Sequence, residues 1–254
     1  MSIDLDLVRA ILIHSIPFIS MAKILTLLGS PGSGKGSFSK WIIQIRPDWI
    51  HLSIGDELRN EVKKDSNLGK EIKDLITKGI LVPDTIVNKV AIDRISFINQ
   101  NSSSKLILLD GYPRSLNQCE FLHKTTMGTS HALRIDLARW VVIKKMLGRR
   151  KCINCHQDFN ICDIRTDGYD MPAILPDQST CNFHPCNPQL IARDDDTETI
   201  IEARLQSYED SISDITDFYM KKKLFSKFEI RLGKADTNNL IKQIDSNVFG
   251  FHRN

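Results

Sequence analysis

The chain has 254 residues, 41% hydrophobic and 26% charged, with 34 Lys+Arg against 31 Asp+Glu for a formal net charge of +3. This composition excludes general disorder and a fibrous protein, and the length suits one large domain with insertions or two small ones. So small a surplus of charge makes no bulk polyanion-binding surface, and no apolar run reaches the roughly 18 to 20 residues that a membrane span needs.

Along the chain, the first feature is a mostly apolar stretch over residues 8–19, preceded by Asp4 and Asp6 rather than by a basic cluster. A short amphipathic extension ahead of a second start at Met21 is expected there in preference to a secretory signal. Residues 23–28 are an apolar run ending in Gly-Ser-Pro-Gly-Ser-Gly-Lys-Gly-Ser (29–37), after which apolar residues recur at helical spacing to Ile45. Strand, glycine turn and helix in that order predict a phosphate-binding loop. Glycines let successive backbone N–H groups curl around phosphate oxygens, and Lys35 adds a mobile positive charge. Gly36 stands where a hydroxyl residue usually follows the lysine, and the hydroxyl comes one place later, at Ser37.

The segment from Ile54 to Val82 reads as largely helical, and Pro83 with Asp84 opens the next helix. A second apolar run, residues 106–109, ends in Asp110-Gly-Tyr-Pro-Arg114 and leads into another helical stretch. Two βα units of this kind predict a parallel sheet with ligands at the carboxyl ends of its strands. Residues 151–190 carry much Cys, Asp, Asn and Pro and few regular patterns, and helical periodicity resumes from Thr197 through Tyr219.

Of the six cysteines, Cys119 stands alone while Cys152, Cys155, Cys162, Cys181 and Cys186 crowd together. Without a signal segment, the crowding reads as a metal site in a reducing compartment rather than a disulfide framework. Cys152-x2-Cys155 supplies one half of a zinc knuckle. Cys181 and Cys186 can supply the other half, with His184 or Cys162 as alternatives to the preferred Cys181. Four thiolates would make the site structural, since catalytic zinc keeps a position open.

The glycine loop closely resembles that of the adenylate kinases, which interconvert ATP plus AMP with two ADP. Leu52-Ser-Ile-Gly-Asp-Glu-Leu-Arg59, Leu81-Val-Pro-Asp84, Asp110-Gly-Tyr-Pro-Arg-Ser-x-x-Gln118, Gly148-Arg-Arg150, Arg193-Asp-Asp-Asp196 and Ala203-Arg-Leu205 follow in family order. The resemblance implies an α/β fold: a P-loop three-layer parallel sheet flanked by helices, over residues 21–254. Residues 53–82 would be a nucleotide-binding insertion for the acceptor, residues 148–196 a zinc-type lid, and residues 1–20 an extension. The implied reaction is reversible phosphoryl transfer from MgATP to AMP, with lid closure excluding water. The implied protein is a cytoplasmic monomer whose partners are ATP, AMP and ADP, with no nucleic acid and no membrane.

Carried over residue by residue, the resemblance gives ATP to Gly32, Ser33, Gly34, Lys35, Gly36, Ser37 and Arg149. It gives AMP to Ile54, Arg59, Ile80, Leu81, Val82, Gly111, Tyr112, Pro113, Arg114 and Gln118, the last as hydrogen-bond partner of adenine. Arg193 and Arg204 would hold the phosphates at the junction, and Asp56 and Asp110 would orient the water shell of Mg²⁺. Planar, always charged arginines suit such a site because they clamp phosphate oxygens bidentately. The sequence departs from the family in three places. Ile54 replaces the usual Thr, which opens GMP or a pyrimidine monophosphate as acceptor. Lys145 replaces an Arg that stacks on the donor base. The second cysteine pair is spaced Cys-x4-Cys. A different class, a zinc-dependent nucleic-acid-binding module, is suggested by Lys144, Lys145, Arg149, Arg150 and Lys151 beside the knuckle.

Overall fold

The computed structural model describes residues 22–64, 66–77, 82–177, 180–181, 189–193 and 196–250. Its centre is a sheet of five parallel strands: β1 (Lys23–Leu28), β2 (Trp49–Ser53), β3 (Leu106–Asp110), β4 (Ser130–Asp136) and β10 (Phe225–Glu229), in the order β10-β4-β1-β3-β2. The three inner strands are buried almost throughout, because helices cover both faces. Their alternation divides the core. Leu25, Leu27, Leu106 and Leu108 pack on one side with Phe38 and Ile42, and Ile24, Ile107 and Leu109 on the other with Val87, Ala91 and Ile95.

The covering helices are α1 (Lys35–Ile45), α4 (Asp84–Asn101), α5 (Leu116–Thr125), α6 (Arg139–Leu147), α7 (Glu198–Lys221) and α8 (Thr237–Phe249). The segment after β2 forms two helices, α2 (Ile54–Lys63) and α3 (Asn67–Thr77). Ser53 caps α2 by accepting from the Asp56 N–H, which fixes where β2 stops and the helix carrying Asp56 and Arg59 starts.

Strand register is what assembles a site. Leu27 pairs with Asp110, and Asp110 pairs with Ser53, so the loops that follow β1, β2 and β3 open side by side at one edge of the sheet. This is the edge at which parallel α/β sheets hold ligands.

Residues 149–191 contain more regular structure than their composition predicts. β5 (Arg149–Cys152) pairs antiparallel with β6 (Asp158–Asn160) and with β9 (Leu190–Ile191), while β7 (Ile164–Thr166) and β8 (Tyr169–Met171) form a hairpin. Strands of two to four residues carry almost no periodic signal, which is why the sequence reads as irregular. The hairpin is not an isolated flap: Ile164, Tyr169 and Met171 are buried in the main core, and Tyr169 packs edge-on against Trp140.

Candidate active site

The phosphate loop joins β1 to α1, and its backbone requires glycine. Gly32 has a φ of +83°, and a Cβ there would lie 2.3 Å from Met146 Cγ on α6. Lys35, the first residue of α1, is half-buried and folds back so that its Nζ donates to the carbonyls of Gly29 (2.7 Å) and Ser30 (2.9 Å). Burial lowers its ammonium to about 8, Asp110 opposes that shift, and the guanidinium groups of Arg114, Arg204 and Arg149 add to it. One lysine, one carboxylate and three arginines, from four different elements and the loop after β3, therefore share a single electrostatic neighbourhood. So much positive charge held together suits an anionic ligand such as a group of phosphate oxygens.

Each member is held from behind. Asp110 ends β3, its carboxylate 3.7 Å from where a Cβ at Gly36 would stand and 3.7 Å from His51 Nε2. Arg114 donates through Nε to the Gly111 carbonyl (2.8 Å), and Asp110, Arg204 and Arg59 all act on its charge. Arg149 forms a two-pronged ion pair with the buried Asp196, one prong being Nε to Oδ2 at 2.9 Å. Arg59 is ion-paired with Asp56 one turn earlier on α2. Burial raises the Asp56 carboxyl, but hydrogen bonds involving Arg59 and Ser53 bring it net below its ordinary value. Arg193 lies two residues past β9, where it donates to Asp158 of β6 at 2.7 Å.

The remaining assigned positions divide. Ser33 is buried in the loop, Gly34 is the N-cap of α1 with a φ of +90°, and Ser37 is exposed. Tyr112 and Pro113 are buried, and the Tyr112 hydroxyl donates to Asn88 Oδ1 (2.6 Å). Gln118 is 4% exposed, and its amide already joins Asp84 (2.5 Å) and the Arg114 backbone N–H (2.7 Å). Ile54 is buried among Leu52, Val87 and Ala91, so it is a core side chain. Val82 packs against the same cluster, while Ile80 and Leu81 lie outside the described residues.

Lys145 does not resemble an exposed stacking residue. It is buried, and its Nζ donates to the carbonyls of Cys162 (2.8 Å) and Met171 (3.0 Å), tying α6 to the β7–β8 hairpin. An ammonium donates readily in several directions where a planar guanidinium would demand a flat slot. The suggested basic patch is dispersed for the same reason: Lys145 is inward, Arg149 is paired with Asp196, and Arg150 bonds the Leu147 and Arg149 carbonyls.

In the small sheet, the Sγ atoms of Cys152, Cys155 and Cys181 all lie within 4.8 Å of one another, with Cys152 and Cys181 3.9 Å apart. Tetrahedral zinc with bonds of about 2.3 Å needs thiolates roughly 3.8 Å apart, so the donor set fits. A backbone N–H of Cys155, with that of Asn154 and neighbouring thiols, holds the Cys152 thiol below its ordinary range against its burial. Cys162 instead offers its carbonyl to Lys145, and His184 and Cys186 lie outside the described residues.

Comparison with known proteins accords with this geometry. The family model described as adenylate kinase matches residues 27–224. A GTP:AMP phosphotransferase of Plasmodium falciparum is 39% identical over 215 residues, covering 84% of this chain and 91% of that protein. Adenylate kinases of Thermotoga neapolitana and Borrelia duttonii are 33% and 32% identical, each covering 88% of this chain and 96% and 94% of their own.

Proposed function

The chain belongs to the adenylate kinase family, whose members are nucleoside monophosphate kinases, and on that premise we propose that it moves the terminal phosphoryl group of MgATP onto AMP, giving two ADP. The observation that carries this reading is the convergence of Lys35, Arg114, Arg149 and Arg204 beside Asp110 at the carboxyl edge of the sheet. As the bond from the phosphorus to the bridging oxygen of ATP breaks, a bond forms to a phosphate oxygen of AMP. That acceptor oxygen is already ionised, so no general base is required.

In this reading residues 32–37 hold the donor phosphates through backbone N–H groups, the Lys35 ammonium and the Ser37 hydroxyl. Arg59 and Arg114 hold the acceptor phosphate. Arg149 exchanges Asp196 for donor phosphate, and Arg204 and Arg193 neutralise charge at the junction, the latter when the lid comes down. Mg²⁺ supplies charge neutralisation on the donor oxygens when bound. Asp110 suits its water shell because the missing Cβ at Gly36 leaves room before the carboxylate, and Asp56 would complete the shell. Residues 53–82 act as acceptor-binding insertion and residues 148–196 as lid, which shields the reaction from water. The lid is hung from the core by its β7–β8 hairpin and by Lys145. The thiols of Cys152, Cys155 and Cys181, none of them in a disulfide, suit a reducing compartment such as the cytoplasm, and the protein acts as a monomer in this reading.

A second reading of the donor rests on two observations: the relative named GTP:AMP phosphotransferase and the inward Lys145, which leaves no guanidinium plane at the position assigned to the donor base. A panel separates the possibilities. With ATP as donor, AMP should exceed GMP, CMP and UMP in kcat/KM; GMP turned over faster than AMP overturns the acceptor assignment. GTP turned over faster than ATP, with AMP as acceptor, transfers the donor role to guanine.

Zinc in the lid would be structural, because among the described residues the core beside β5, β6 and β9 is small, with Cys152, Phe159 and Cys181 buried in it. Purified protein should contain about one zinc per chain. Cys152→Ser should lose that zinc and expose the lid to proteolysis while residues of the main sheet stay protected. Unchanged zinc content in the variant would contradict the ligand set.

A further inference from the structure

The acceptor loop is held by the first two turns of α4. Asp84, the first residue of that helix, accepts from the Ser115 hydroxyl through Oδ2 (2.6 Å) and from Gln118 Nε2 through Oδ1 (2.5 Å). One turn later Asn88 accepts from the Tyr112 hydroxyl. On its other side, the Gln118 amide oxygen accepts from the Arg114 backbone N–H. Because a carboxylate only accepts and a backbone N–H only donates, the two partners fix the amide in one orientation, Nε2 toward Asp84 and Oε1 toward Arg114. Inverting the amide would set two oxygens against each other at Asp84 and two N–H groups against each other at Arg114, in a site where Gln118 is 4% exposed.

We propose that Asp84 is a specificity-determining residue, which sets base choice by locking the Gln118 amide. The proposal rests on the reading that AMP is the acceptor and that Gln118 meets its base. An amide so locked keeps one N–H and one lone pair of Oε1 for a ligand. Adenine answers with the N6 amine as donor and N1 as acceptor, whereas a 6-oxopurine presents an acceptor and a donor in the reversed order. The locked amide therefore matches adenine and repels hypoxanthine and guanine, and a free amide would turn to suit either. Asp84 acts through Gln118 and Ser115 without contacting the reacting atoms. It is a positioning residue, and its effect falls on acceptor choice.

The test compares kcat/KM for AMP and for inosine monophosphate, which differs from AMP at this edge alone, at saturating donor. The wild type should prefer AMP. Asp84→Ala should reduce that preference about tenfold or more, through a raised KM for AMP with the KM for ATP unchanged, since hydrogen-bonded selection of this kind carries large ratios. Asp84→Asn, which can still turn an oxygen to Gln118 Nε2, should restore most of it. A folded Asp84→Ala enzyme with the wild-type AMP to inosine monophosphate ratio overturns the proposal and leaves the AMP reading intact. A wild type indifferent to the two monophosphates overturns both. Should Asp84→Ala fail to fold, the wild type still decides: one Nε2 proton of Gln118, assigned in its nuclear magnetic resonance spectrum by its loss in Gln118→Met, should exchange slowly, and rapid exchange of both contradicts the lock.

Discussion

Lys35→Met should reduce ADP formation by about 10²- to 10³-fold or more while the thermal transition stays within a few degrees of wild type. Lys35 sits at the N-terminus of α1, where unpaired backbone N–H groups already favour anions, and its ammonium is within hydrogen-bond distance of the Gly29 and Ser30 carbonyls. In that pose it is close enough to Arg114, Arg149 and Arg204 to be depressed to about 8, with burial the larger cause. Methionine keeps the stem and removes the charge, so the loss falls on phosphate binding rather than on packing. A sign follows for pH. Bound polyphosphate raises the Lys35 ammonium again, so above about pH 8 donor binding must take up a proton, and donor affinity should fall as the pH rises. Calorimetry of ATP binding in buffers of different ionisation enthalpy measures that uptake. A near-wild-type rate in Lys35→Met would show that the glycine loop is not the donor site.

Arg114→Ala carries the second large effect, expected near 10²-fold in kcat/KM for AMP from the loss of a preorganised charge at the transferring group. Arg114 is held in place at two points: Nε is spent on the Gly111 carbonyl, and one terminal nitrogen of the fork lies 3.1 Å from where a Cβ at Gly111 would stand. Its charge is felt by Lys35, and Asp110, Arg204 and Arg59 bear on it in turn, so it stands between the donor loop and the α2 insertion. Arg114→Lys should recover only part of the rate, because an ammonium keeps charge without the planar fork. Steady-state kinetics at saturating ATP decide this, and an Arg114→Ala enzyme with unchanged kcat/KM would remove the residue from the acceptor clamp.

Much of this was legible in the sequence, for identifiable reasons. The strand, glycine turn and helix around Lys35, and the strand ending in Asp110, stand out because both strands are buried on two faces and read as continuous apolar runs. Other strands did not announce themselves: β2 is Trp-Ile-His-Leu-Ser and β10 is Phe-Ser-Lys-Phe-Glu, partly exposed edges whose polar residues dilute the signal. Nor could spacing reveal that Lys145 turns inward to two carbonyls or that Ile54 joins the core, since both facts depend on elements far away in the chain. The Asp84–Gln118 clasp, 34 residues apart in sequence, was invisible for the same reason. Sequence named the chemistry, and tertiary packing decided which groups were free to take part.

Whether one site joins two nucleotides across the Lys35–Asp110 edge is decided by product stoichiometry. Purified protein given equimolar ATP and AMP with Mg²⁺, followed by chromatography of the nucleotides, should yield two ADP for each ATP consumed, with no inorganic phosphate released. ATP consumption that does not depend on AMP, or that releases phosphate in place of a second ADP, would contradict the account.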